Sequence, residues 1–290
     1  MLKRKILLST IFFLWSIFLF SQAQANSDYS TIKLNDISIT VINDNANNFS
    51  AELFPTLDKY PDSKKLMHNG AFTGIVRTFL FKLGDKLILV DGGWGIEGRR
   101  HGKTVEILKS LGYNTSDITD ILLTHLDVDH VSGLIDKGER VYPNATLWLN
   151  QKQYSAWTEG EPRDKHSVEN ARNVLKVYKG AGKISFYKWG AEVFPQIKAI
   201  QADGHTPGHT VFCLTNGKNK LYFLGDLLHA GDLQLAHPEC SSKYDADPER
   251  AALMRREILQ HCADEKSIVA GAHFIKIGVV KRSGSGFIVE

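Results

Sequence analysis

Two histidines and two aspartates stand within six residues in Thr124-His125-Leu126-Asp127-Val128-Asp129-His130, directly after the apolar run Ile118 to Leu123. The end of a buried strand is a costly place for so many polar groups unless something binds them. Imidazole and carboxylate together suit zinc, iron or manganese, and a tight loop lets such side chains reach two adjacent ions. One such run alone is equally compatible with a solvated acidic loop. A calcium loop fits less well, because Ser132 stands where an EF-hand requires Gly and its closing Glu is missing.

Three further segments carry the same kind of residue. Asp203-Gly204-His205-Thr206-Pro207-Gly208-His209-Thr210 is a turn punctuated by Gly and Pro. Phe223-Leu224-Gly225-Asp226 ends an apolar strand in a carboxylate, and Ala270-Gly271-Ala272-His273 ends another in an imidazole. Ligand-type residues just past strand ends are what an α/β architecture gathers into a site.

Taken together, these motifs resemble the metallo-β-lactamase superfamily, through nearly all of the chain beyond its first 25 residues. There, His-x-His-x-Asp-His is followed by a Gly-His turn, a Gly-Asp and a late histidine, which bind two metal ions. The resemblance implies that His125 and His205 hold the first ion, that Asp129, His130 and His273 hold the second, and that Asp226 bridges them. Asp127 occupies the place of the family's usual second histidine. It is expected as a ligand, and its carboxylate widens the expected metal from zinc to manganese or iron at that site. Asp91, after Leu87-Ile88-Leu89-Val90, matches an aspartate that supports the metal loop from behind; a turn-capping role beside Gly92 and Gly93 is the alternative. His229 falls where lactonases of the family carry a tyrosine, which makes Asp129, Asp226 and His229 the catalytic candidates. His209 reads as a structural turn residue and His237 as a pocket-wall residue.

The implied activity is that of a hydrolase. Two adjacent divalent cations lower the pKa of water from ~15.7 towards ~7, so that a hydroxide held between them can attack a carbonyl at neutral pH. The stretch from Gly225 through His229, Ala236 to Glu239 and Asp245 to Pro248 resembles the lactonase and organophosphate-hydrolase branch. A small, largely neutral ester or lactone, an acyl-homoserine lactone among them, is the expected substrate. A β-lactam or a phosphotriester is the alternative bond. A non-catalytic metal-binding protein, or a redox member using iron, is the alternative class. Many zinc β-lactamases place a cysteine at the second metal and lack the bridging aspartate; here Asp226 is present, and none of Cys213, Cys240 and Cys262 stands at a ligand position.

The elements that must position these residues follow from hydrophobic periodicity and turn residues. Ile37 to Ile42 reads as an edge strand and Asn43 to Gly74 as a long connection, in which Phe49, Phe54 and Phe72 either line a substrate mouth or pack beneath the loop. Ile75 to Leu83 and Lys86 to Val90 form a hairpin around Gly84-Asp85, and Lys103 to Leu111 is an amphipathic helix stopped by Gly112. Thr146 to Leu149 is a strand, followed by helices at Gln151 to Trp157 and Val168 to Tyr178, with Trp148, Tyr154 and Trp157 as packing residues. Thr210 to Thr215 and Lys220 to Leu224 form a second hairpin. Pro248, capped by Asp247, opens a helix to about Cys262, and Ser267 to Ala270 returns as a strand. Two such half-units sharing one metal cleft imply a four-layered αββα sandwich.

The start of the chain is of another kind. Lys3-Arg4-Lys5, the apolar stretch Ile6 to Phe20 and Ala23-Gln24-Ala25 have the layout of a secretory signal cleaved after Ala25. The apolar stretch is shorter than the ~20 residues that span a bilayer, so no stable membrane anchor is expected once it is removed. The expected destination is the bacterial periplasm or the exterior, with one catalytic domain from Asn26 to Glu290. The whole chain has 35 Lys and Arg against 32 Asp and Glu; the first 25 residues hold three of the basic ones and no acidic one, leaving 32 against 32. No basic surface remains to follow a phosphate backbone, which removes the nucleic-acid-processing branches and leaves a small molecule as the partner. Three cysteines permit at most one disulfide. The oligomeric state is left open.

Overall fold

A computed structural model describes residues 28–95 and 101–290. The expected secretory signal lies outside the described residues. The strands make two seven-stranded sheets. The first runs in the order Tyr29–Leu34, Ile37–Ala46, Ile75–Leu83, Lys86–Val90, Asp120–Leu122, Thr146–Asn150 and Ile184–Tyr187. The second runs Glu192–Phe194, Ile197–Gln201, Thr210–Asn216, Asn219–Phe223, Ile268–Ala270, Ile277–Ser283 and Gly286–Val289.

The apolar runs that build these sheets are buried on both faces, as side chains that alternate along a strand require when each face has a partner. In Ile75–Leu83, Phe79 and Phe81 point between the sheets, while Leu80 joins the outer core beneath the helices. Ile88 and Val90 divide from Leu87 and Leu89 in the same way. In the second sheet Phe212, Leu214, Leu221 and Phe223 face inward, and Val211, Cys213, Tyr222 and Leu224 face the helix Pro248–Glu265. The helices Thr104–Ser110, Gln151–Glu159 and Lys165–Gly180 cover the outer face of the first sheet. The layers are therefore helix, sheet, sheet, helix, the expected αββα sandwich.

Two expectations need correction. Ile37–Ala46 is not an edge strand, because Tyr29–Leu34 pairs with it antiparallel and takes the edge. The stretch expected as an open connection is shorter and folded: the strand continues to Ala46, and a two-stranded ribbon pairs Phe49 with Phe72 around short 3-10 turns. Phe49, Phe54 and Phe72 are buried there with Ala230, Leu233 and Cys240, so this segment packs down beside the Asp226 loop. All three cysteines are buried and unpaired. No helix among the described residues is long and apolar enough to cross a membrane.

The parallel strands set the position of the site. Lys86–Val90, Asp120–Leu122 and Thr146–Asn150 run parallel in the first sheet, as do Asn219–Phe223 and Ile268–Ala270 in the second. Asp91, the His125 loop, Asp226 and His273 follow the carboxyl ends of four of these strands. The two sheets meet through aromatic contacts, Phe223 stacking on Phe81 at 5.6 Å and leaning on Phe79 at 5.0 Å. Truncating Phe223 to Ala is expected to cost about 3–5 kcal/mol, read as a lowered denaturation midpoint; a cost below about 1 kcal/mol would show that the contact does not join the layers.

Candidate metal centre

The His125 loop is shaped by Asp91. This residue has a left-handed backbone (φ 59°), and its carboxylate accepts from Thr124 N at 2.8 Å and Thr124 Oγ1 at 2.7 Å. It also lies 2.9 Å from His130 Nδ1. An ionised carboxylate only accepts, so this contact puts the ring proton on Nδ1 and leaves the His130 Nε2 lone pair facing the cleft. Asp91 thus caps the turn at Thr124 and orients the His130 ring at the same time.

The same logic runs through the other rings. His273 Nδ1 donates to the Ile75 carbonyl at 2.7 Å, and His205 Nδ1 to Asp245 Oδ1 at 3.2 Å. The Thr124 hydroxyl proton goes to Asp91, so at 3.1 Å it accepts from His125 Nδ1. Four imidazoles therefore turn Nε2 inward: those of His125 and His130 have no hydrogen-bond partner, that of His273 faces Asp226 Oδ2 at 3.0 Å, and that of His205 faces Asp127 Oδ2 and Arg163 Nη2, each at 3.1 Å. His209 works differently: its Nε2 accepts the Asp226 backbone N–H at 3.0 Å and its Nδ1 donates to the Ala202 carbonyl at 3.1 Å. Burial, together with neighbouring His205, pushes its pKa down to about 3, so it stays neutral as a structural residue, in agreement with its reading as a turn histidine.

Asp226 stands where the rings converge. Its Oδ2 lies 3.0 Å from His273 Nε2, 3.4 Å from His205 and His229 Nε2, and 3.6 Å from His125 Nε2. Its Oδ1 lies 3.1 Å from His130 Nε2. Gly225 makes this approach possible with a left-handed φ of 53°, where a Cβ would come within 2.7 Å of His209 Nε2 and 2.8 Å of Thr124 Cβ. Asp129 completes one flank, with Oδ2 3.4 Å from His273 Nε2 and Oδ1 3.9 Å from His130 Nε2. Donor atoms of His125, His205 and Asp226 lie within 4.8 Å of one another, as do those of Asp129, His130 and His273.

Bare imidazole nitrogens facing carboxylate oxygens repel unless positive charge lies between them. His125 Nε2, His130 Nε2 and Asp226 Oδ1 are buried without a hydrogen-bond partner, which is costly in a low-dielectric interior. A pair of divalent cations fits this donor set of imidazoles and carboxylates. Without cations the histidines must carry the charge. Burial opposes it, but Asp226, Asp129 and Asp91 hold His130 well above its ordinary value. Burial likewise opposes charge on His205, yet Asp127 and Asp245 raise its pKa to about 9.

The expected ligands and catalytic candidates His125, Asp129, His130, His205, Asp226, His229 and His273 meet in this cleft. Asp127 is present too, 3.1 Å from His205 Nε2 and 3.6 Å from His125 Nε2, but its carboxylate is shared with Arg163. His229 reaches Asp226 at 3.4 Å and stacks on His273, ring centroids 5.4 Å apart. His237, read as a pocket-wall residue, stacks on Tyr60 at 4.3 Å and contacts Asp62 at 3.0 Å. One contributor, Arg163, lies in an unpatterned loop and had no signal of its own in the sequence. Asp245, noted only as part of a lactonase-like stretch, supports His205 while paired with buried Arg255, and Phe49, read as either a mouth or a packing residue, makes T-shaped ring contacts with His229 and His273.

Comparison with known proteins agrees with this geometry. A family profile described as the Metallo-beta-lactamase superfamily matches residues 72–273. A probable metallo-hydrolase of Mycobacterium tuberculosis is 27% identical over 195 residues, 55% of this chain and 59% of that protein, so the match spans well under two thirds of the relative. Among solved structures, the hydrolase AbOPH of the beta lactamase superfamily superposes with a TM-score of 0.80 at 26% identity, covering 91% of this chain and 97% of that one. AidC, a dizinc quorum-quenching lactonase in complex with the product N-hexanoyl-L-homoserine, gives 0.80 at 25% identity, with 90% and 97% covered.

The charge balance predicts how metal-free protein responds to pH. His205 is raised to about 9 in the fold, against roughly 6.5 unfolded. Its stabilising contribution is complete below the unfolded value and is lost as pH climbs through the folded one. Chelator-stripped protein should therefore show a Tm that falls between about pH 6.5 and 9; a flat or rising Tm over that window would contradict the assignment.

Proposed function

Because the chain belongs to the metallo-beta-lactamase superfamily, we propose that it is an exported, dinuclear metal-dependent hydrolase of small, largely neutral esters or lactones, acyl-homoserine lactones among them. The observation that carries this reading is Asp226, one buried carboxylate facing imidazoles on two sides. His125, His205 and Asp226 would hold one ion, and Asp129, His130, His273 and Asp226 the other. When bound, two such cations supply hydroxide at neutral pH and withdraw charge from a carbonyl oxygen.

The chain's own residues then divide the remaining work. Asp91, Asp245, Thr124 and the Ile75 carbonyl fix ring orientation, so that the donors need no rearrangement before reaction. His229 is buried, and that burial lowers its pKa; its Nδ1 has no partner. A neutral ring so placed can give a hydrogen bond to a substrate oxygen as charge develops there. Phe49 supplies an apolar edge behind His229 and His273. Asp129, partly exposed at one flank of the cleft, would steady the nucleophile. The lactonase likeness of AidC supports the substrate class. Residues 26–290 form the catalytic domain in this reading, and residues 1–25 direct export to the periplasm or beyond.

Metal-loaded protein should open lactones or cleave carboxylic esters faster than it cleaves β-lactams or phosphotriesters. Bound metal with no turnover on any of these would favour a binding protein, and a single iron with oxidase activity would favour a redox role. For His229→Ala the expected result is a drop in kcat of about 10²–10⁴-fold with metal content unchanged. Full turnover by that variant would remove His229 from the mechanism.

A further inference from the structure

Asp127, whose carboxylate faces His125 and His205 Nε2, is gripped by a guanidinium. Arg163 Nε lies 2.9 Å from Oδ1 and 3.1 Å from Oδ2, and Nη2 lies 2.8 Å from Oδ2, a forked pairing that engages both oxygens. The same Nη2 stands 3.1 Å from His205 Nε2 and 3.2 Å from the His205 carbonyl, while Nη1 donates to the Tyr244 carbonyl. Arg163 is mostly buried, its side chain 14% exposed. Its backbone is set by the next residue: Asp164 caps the helix Lys165–Gly180, accepting from His166 N at 3.0 Å and Ser167 N at 3.2 Å.

A guanidinium does not lose its proton in a protein, so a fixed positive charge sits beside His205 Nε2, the atom that would face a cation. Two effects follow, and they act in the same direction. The Asp127 oxygens are committed to Arg163, which removes a donor from the position shared by His125, His205 and Asp226. The charge itself also repels a cation there. The other position has an opposite setting: behind His130 lies the carboxylate of Asp91, which accepts from Thr124 as well. Behind His205 lies Asp245, but that carboxylate is paired with buried Arg255 at 3.2 Å, which offsets its charge.

Resting on the dinuclear reading above, we propose that Arg163, by holding Asp127, makes the two metal positions unequal. The first cation goes to Asp129, His130, His273 and Asp226, and the second binds more weakly at His125, His205 and Asp226. Arg163 is thus a positioning residue that sets the affinity of the second site, and Asp127 serves as its counter-ion.

The test is a zinc titration of chelator-stripped, full-length protein against a competing chromophoric chelator, which reads affinity and stoichiometry independently of turnover. Wild type should bind in two steps separated by about 100-fold or more, since each factor of ten needs only about 1.4 kcal/mol. Arg163→Met removes the charge and frees Asp127; it should tighten the second step by at least about 10-fold and leave the first unchanged. Arg163→Lys keeps the charge and should keep the two steps apart, which also guards against a Met variant that fails to fold. Two equal steps in wild type, or a second step in Arg163→Met that is unchanged or weaker, would overturn the proposal while leaving two metal sites intact. No zinc bound by wild type would instead overturn the dinuclear reading itself, and this proposal with it.

Discussion

A single carboxylate surrounded by imidazoles constrains the rest of this molecule. Asp226 is buried, and both of its oxygens lie within 3.6 Å of imidazole nitrogens from five histidines. Such a cluster has no stable neutral arrangement in a low-dielectric interior. It calls for positive charge, carried by protonated rings or by cations, and four of the rings turn Nε2 towards the place where that charge would lie. Each of His125, His130, His205 and His273 is tied through Nδ1 to an acceptor outside the cleft, which leaves Nε2 pointing in.

Much of the surrounding architecture serves those outer acceptors. Asp91 comes from the end of one parallel strand, the His125 loop from the next, and the Ile75 carbonyl from the start of a neighbouring strand. Asp245 precedes the helix Pro248–Glu265 and is anchored to it by Arg255. The inter-sheet core built on Phe79, Phe81 and Phe223 holds these strand ends in register, so packing far from the cleft determines ring orientation within it. The segment carrying Phe49, Phe54 and Phe72 closes one side by packing on the residues that follow His229.

The ligand-type residues could be read from the chain because each lies next to a strand end that hydrophobic periodicity reveals. His125 to His130 follows Leu123, Asp226 follows Leu224, and His273 follows Ala270 with only small residues between. Both hairpins and the helix beginning at Pro248 were legible for similar local reasons. What was not legible depends on meetings across the fold. Arg163 lies 36 residues from Asp127, and nothing about its own neighbourhood points to a cleft. Asp245 reads as one of several acidic residues before a helix until His205 is placed against it. The edge position of Tyr29–Leu34 likewise depends on pairing rather than on pattern.

Crystals of metal-loaded protein, with anomalous diffraction collected at the absorption edge of the bound metal, test the central claim most directly. Two peaks are expected, one on each side of the Asp226 carboxylate, with metal–ligand distances of about 2.0–2.2 Å to its oxygens and to the inward Nε2 atoms. Anomalous density away from Asp226, or histidine rings turned so that Nδ1 faces the cleft, would contradict the account.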